Sequence, residues 1–258
     1  MKTGLYGRLL FGASAVLVGV IALMWHDIET WQNLHKLWSI PFGLIIGCCL
    51  MVAQIASGIG ILFARTARVA SIVLSVVYLL FSLVCIASIV AAPKVYAPYG
   101  SFFEQLCPLC GAIAVYASTE LNAARAIAFR GTARLGLGLC ALSFTLSQIF
   151  YLRYTAKLVP IWIPPSQTFW AILTTVAFAL AAISILINRQ ARLALRLMAL
   201  MLTLFGILVW IPMLIAHSEA HLNWSEFALT FLIAGATWTV AEHTSDQALE
   251  PTARRSCV

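Results

Sequence analysis

The chain has 258 residues, of which 62% are hydrophobic and 10% charged. A soluble domain carries about 25% charged residues, so a water-solvated fold around a buried core is excluded. The net charge of +7 does not mark a nucleic-acid surface, because the basic residues are divided among short loops.

Eight apolar stretches follow in chain order, at 5–24, 40–63, 69–91, 101–121, 135–152, 168–187, 193–216 and 226–241. A hydrocarbon core about 30 Å thick needs roughly 20 apolar residues in a helix. In lipid each backbone N–H and C=O must be paired within the chain, which favours helices. The runs lack the alternation that barrel strands show. The first stretch follows Lys2 and contains Arg8, like a signal peptide, but no small-residue cleavage site follows and a retained helix is expected. Of the 16 Lys and Arg, Lys36, Lys94, Arg153 and Lys157 fall on one side of such spans, and the remaining twelve fall on the opposite side. The positive-inside rule then predicts cytoplasmic termini in a plasma (inner) membrane.

The second four stretches repeat the first four. At an offset of 124, Arg65-Thr66-Ala67-Arg68 lies on Arg189-Gln190-Ala191-Arg192, Leu80-Phe81 on Leu204-Phe205, and Gly111-Ala112 on Gly235-Ala236. Arg8 pairs with Arg134 after a small slip. An even number of spans per copy keeps both copies facing the same way. The expected fold is therefore all-α: a polytopic membrane protein of eight transmembrane helices, as two tandem parallel four-helix bundles. The expected domains are a first module at 1–121, a cytoplasmic linker at 122–132, a second module at 133–242 and a cytoplasmic tail at 243–258.

A short basic turn at 63–68, the proline-rich outer segment 156–165, Ser166-Gln167-Thr168-Phe169-Trp170 and the turn at 188–192 together resemble the DoxX family of small membrane proteins, including its MauE-like branch. The likeness covers about 5–121 and again 135–241. It implies a four-helix module tied to membrane redox chemistry: quinol-oxidase accessory subunits, thiol–oxidant defence and disulfide maturation. Family members often carry an acidic residue in the second helix. Here Gln54 occupies that region and Phe178 lies at the same offset, so no proton or cation role carries over.

Of seven cysteines, Cys107 and Cys110 form a Cys-x-x-Cys pair in the fourth stretch. Two thiols at this spacing can cycle between dithiol and disulfide, form a structural disulfide, pack as small apolar groups or join a metal site. No metal ligands are assigned. The positive-inside topology sets the pair one to two turns below the outer, oxidising face. Pro108 lacks an N–H and would clash with the carbonyl of Glu104. A kink there is expected, or a helix start near Cys107 that would favour the thiolate. Cys48, Cys49 and Cys85, in the outer halves of the second and third stretches, and His26 are secondary candidates. At the repeat offset Cys107 lies on Phe231 and Cys110 on Ala234, so redox chemistry is expected in the first module alone. Cys140 is read as packing.

The outline is also similar to four-helix disulfide-oxidising enzymes with an outer Cys-x-x-Cys near a quinone. Those carry an additional loop pair, whereas the loops 26–39 and 93–100 contain no cysteine. The electron path then requires an extracytoplasmic thiol protein or a respiratory or other oxidoreductase subunit as partner, with quinone as cofactor and the lipid bilayer as solvent. Trp31, Leu34 and Trp38 suggest an interfacial helix. His217, Glu219 and His221 read as an outer polar rim. Glu104 and Glu226 are placed outside with the other outer carboxylates, so no carboxylate pair is expected within the membrane. A thiol–disulfide or quinone oxidoreductase component is the leading reading. A membrane scaffold or accessory subunit is the alternative, and a transporter lacks the intramembrane charges that mark ion paths.

Overall fold

The computed structural model describes residues 5–25 and 40–244. His26, the 31–38 segment, Cys257 and the tail beyond residue 244 lie outside the described residues. Among the described residues the regular structure is helical throughout, with no strand. Helices α1 (Leu5–Trp25), α2 (Gly43–Gly60), α3 (Ala67–Ala91) and α4 (Ala97–Thr119) come first. Then follow α5 (Ala123–Phe150), the short α6 (Leu152–Leu158) and α7 (Gln167–Leu186). Helix α8 (Ala191–Phe205) runs through a π-helical turn (Gly206–Trp210) into α9 (Ile211–Ala216), and α10 (His221–His243) closes the order.

Six of these are long and apolar enough to cross a bilayer: α1, α2, α3, α5, α7 and the joined α8–α9. Large apolar side chains such as Ile45, Val52, Val69 and Leu180 stand exposed on them, which is the surface of a multi-pass membrane protein. Helices α4 and α10 fall short of the apolar criterion. They carry Glu104 and Gln105, and Asn223, Glu226 and Glu242. They are also the helices with the most buried residues. Neighbours cover them, so they need not present an apolar face to lipid.

Helix α1 packs on α2, α2 on α3 and α3 on α4; in parallel, α5 packs on α7, α7 on α8 and α8 on α10. Four further contacts join these sets: α1 with α10, α5 with α4, α4 with α10 and, more lightly, α5 with α10. The first helix of each half thus lies on the last helix of the other half. The contacts recur at the sequence offset. A Cβ on Gly12 would stand 2.7 Å from Leu62 Cδ2 and 3.2 Å from Ile61 Cγ1, and one on Gly138 would stand 2.7 Å from Leu186 Cδ2 and 3.2 Å from Ile185 Cγ2. Close helix approach through small residues supplies the van der Waals contact that lipid cannot. At the centre, a Cβ on Gly111 would meet the Ala236 Cβ at 2.7 Å.

Two segments gain detail here. The segment 122–132 is helical from Ala123 onward. Asn122 caps α5 by accepting a hydrogen bond from the Arg125 N–H at 3.1 Å, and the residues after it form the first turns of the 28-residue helix. At about 1.5 Å per residue such a helix outruns the hydrocarbon core, which leaves room for Arg125 and Arg130 beyond it. Of the two expectations for Pro108, a kink or a helix start near Cys107, the start is corrected, because α4 begins well before it. It starts at Ala97, with Pro98 in its first turn, and runs unbroken past Pro108. Proline is suited to the first turn, where the N–H has no helical partner. At Pro108 it leaves the Glu104 carbonyl without its usual donor.

Candidate functional site: a buried thiol group

Helices α4 and α5 form an antiparallel hairpin whose register is fixed along its length. The Tyr116 ring meets Phe129 edge-on at 5.1 Å. One turn and a half toward the start of α4, Cys110 Sγ packs where a Gly136 side chain would lie. Farther along, a Cβ on Gly100 would lie 3.9 Å from Ser147 Oγ. At the end of the hairpin away from its turn the Tyr96 hydroxyl lies 2.9 Å from Ser143 Oγ, and the Tyr151 hydroxyl accepts the Ala97 N–H at 3.1 Å.

This register brings a third thiol to the Cys-x-x-Cys pair. Cys140, on α5 one turn beyond Gly136, interacts with both Cys107 and Cys110. Relative exposures are 0% for Cys107, 3% for Cys110 and 0% for Cys140, so the group is closed to water. Cys107 Sγ lies 3.9 Å from Thr237 Oγ1 on α10. The Thr237 hydroxyl donates to the Ile233 carbonyl at 2.8 Å, which leaves its oxygen to accept from the Cys107 S–H. All three thiols are free.

The surroundings of the pair are therefore drawn from both halves, since α5 of the second half supplies Cys140. The helix-terminus argument for Cys107 falls. Cys107 is ten residues from the start of α4, about 15 Å by helical rise, and the terminal field fades within the first turn. Of the secondary candidates, Cys48 is half-buried and Cys49 exposed on α2, which packs on α1 and α3 rather than on the thiol group. Cys85 is buried on α3 and donates to the Phe81 carbonyl at 3.3 Å. Among the described residues no cluster of three or more His, Cys, Asp or Glu has metal-holding geometry.

Glu104 and Glu226 come together. Both lie within helices, half-buried, and close enough for their charges to interact. Glu104 stands one turn before Cys107 on α4, the spacing that places two side chains on one face.

A cavity of about 320 Å³ opens in the second half. Trp170, Phe205, Val209 and Trp210 supply apolar walls, and Gln148, Thr174 and Thr230 supply polar groups. The π-helical turn forms one side. The Gln148 side-chain oxygen accepts from Thr175 at 2.8 Å and from Thr174 at 3.3 Å. The Trp170 indole donates to the Pro164 carbonyl at 2.8 Å, which holds the proline-rich segment against α7. Thr230 is seven residues before Thr237 on α10, about 10 Å by helical rise, so the cavity and the thiols are separate features.

At the opposite end of the hairpin, Arg68 and Glu120 form an ion pair at 3.1 Å. Glu120 also accepts from the Asn122 N–H at 3.1 Å and from the Tyr116 hydroxyl at 3.0 Å. These bonds, the Asn122 N–H first, hold its carboxyl below the usual glutamate range, with Arg68 adding to the effect.

In comparisons with known proteins, no family model, no curated sequence and no solved structure matches the chain.

Proposed function

We propose that the chain is an eight-span, DoxX-like membrane protein in which Cys107 and Cys110 cycle between dithiol and disulfide. The observation that carries this reading is the gathering of thiols, closed to water, where α4, α5 and α10 meet. Closing the disulfide forms one S–S bond and releases two electrons and two protons. A quinone takes up both to become the quinol. Burial supports a lipid-soluble acceptor, because a soluble protein cannot reach these sulfurs without opening the bundle. An extracytoplasmic thiol protein would enter on the donor side, after such opening, and Glu104 is the nearest carboxylate outward of Cys107 on its face of α4 to take a proton.

The eight-span arrangement rests on α4 and α10 crossing as covered inner helices. The two halves then form one unit around the α4–α10 contact, with both termini cytoplasmic. In membranes, treatment with a short-chain quinone should remove two maleimide-reactive thiols from the denatured wild-type protein. Replacing both, Cys107→Ser together with Cys110→Ser, should abolish the loss. Retention of both thiols at every quinone concentration would sink the redox reading.

A second reading, a non-enzymatic scaffold, is favoured by the tight packing of the same sulfurs, since buried cysteine is also a good small apolar side chain. It requires that the double serine variant keep full association with its partner and that no quinone copurify.

A further inference from the structure

We propose that Cys140 is a third redox cysteine, which takes over the disulfide from the Cys107–Cys110 pair and links α4 to α5. The inference rests on the redox reading of that pair and adds a residue the repeat does not supply.

Three observations carry it. Cys140 faces both sulfurs of the pair from the opposite helix. Cys110 is turned toward α5, its sulfur filling the space left by the missing side chain of Gly136, one turn from Cys140. Cys107 is turned toward α10, where the Thr237 oxygen is free to accept an S–H. The group is closed to water, so an internal thiol is the nucleophile already in place.

The step is a thiol–disulfide exchange. The Cys140 thiolate attacks Sγ of Cys110. The Cys107–Cys110 bond breaks as the Cys110–Cys140 bond forms. Cys107 leaves as the thiolate and takes up the proton given up by Cys140, with Thr237 accepting the resulting S–H. No net electrons move, and the quinone of the proposed function supplies the first disulfide. The orientation of the two sulfurs selects Cys110 as the electrophile and Cys107 as the leaving group. The product staples the α4–α5 hairpin and returns Cys107 to its thiol form for the next donor.

The test uses the full chain in detergent, oxidised with diamide, unfolded, alkylated with N-ethylmaleimide and digested with trypsin. Arg125, Arg130 and Arg134 lie between Cys110 and Cys140, so an exchanged disulfide joins peptide 95–125 to peptide 135–153. The wild type should give a disulfide within 95–125 together with the joined pair. Cys107→Ser should give the joined pair with loss of two maleimide adducts, and Cys140→Ser should give the internal disulfide alone. Cys107→Ala, checked for a monodisperse profile, repeats the first variant in case serine disturbs folding. If the wild type forms the internal disulfide while Cys140 stays alkylated in both Cys107 variants, the inference fails and the redox pair stands. Absence of the internal disulfide from the wild type overturns both.

Discussion

At Gly136 a single methyl group decides whether the thiol group can close. An alanine there would drive its Cβ into Cys110 Sγ, and overpacking of a filled core costs about 1–3 kcal/mol. Gly136→Ala should lower the melting temperature in detergent and change the rate at which Cys110 reacts with maleimide. The same alanine at Gly131, which has open space around it, should leave that rate unchanged. Gln54 makes the opposite case. Its Nε2 donates to the Ala15 carbonyl at 2.9 Å, while Oε1 is buried with no partner among the described residues. One hydrogen bond is worth about 1 kcal/mol net, and an unpaired buried polar atom costs about 1–3 kcal/mol. Gln54→Leu should therefore hold or raise the melting temperature, and a fall of several degrees would refute the balance. Among the cysteines, the pair at 107 and 110 was legible from its spacing. Cys140 was not, because nothing in its own neighbours in sequence marks it as chemical.

The α4–α5 hairpin shows why. Its turn is tight: Glu120 accepts from Asn122, and Asn122 caps α5. Read as a linker, 122–132 separates the two helices and removes the register between them. As the first turns of a helix it makes the register unavoidable, with Phe129 level with Tyr116 and Gly136 level with Cys110. The Glu120 carboxyl, held low by Asn122, Tyr116 and Arg68, stabilises this turn in its charged form. That contribution is complete above the ordinary glutamate pKa of about 4.3 and is lost as the pH falls through the lower folded value. Thermal stability in detergent should accordingly drop as pH is taken below about 4, and Glu120→Gln should be less stable at neutral pH with that part of the acid dependence gone. An unchanged profile in the variant would remove Glu120 from the account. Of the two expectations for Pro108, a kink or a helix start, the helix-start role falls to Pro98 instead, and the covered setting of α4 tolerates the interior proline.

Across the molecule, the least apolar helices occupy the most covered positions. Helices α4 and α10 pack on each other and on flanking helices from both halves, so their carboxylates and threonines meet protein rather than lipid. If all eight helices cross, single cysteines introduced at Lys94 and Ile161 in a background lacking Cys49 should react with an impermeant maleimide from outside. Those at Leu121 and Arg189 should react only after permeabilisation. Labelling of Lys94 and Leu121 from the same side would leave α4 outside the bilayer and undo the eight-span arrangement. The membrane class, the length of the six apolar helices and the recurrence at 124 residues could be read from the chain alone. Each is a property of residues close in sequence, or of one residue compared with its copy, and the bilayer imposes it on every stretch separately. Which helix covers which, and so which sulfur meets which, is a matter of contacts between residues about thirty to over a hundred positions apart. Folding α5 back along α4 and seating α10 against both put Cys140 and Thr237 beside Cys107, and only the packed bundle holds that information.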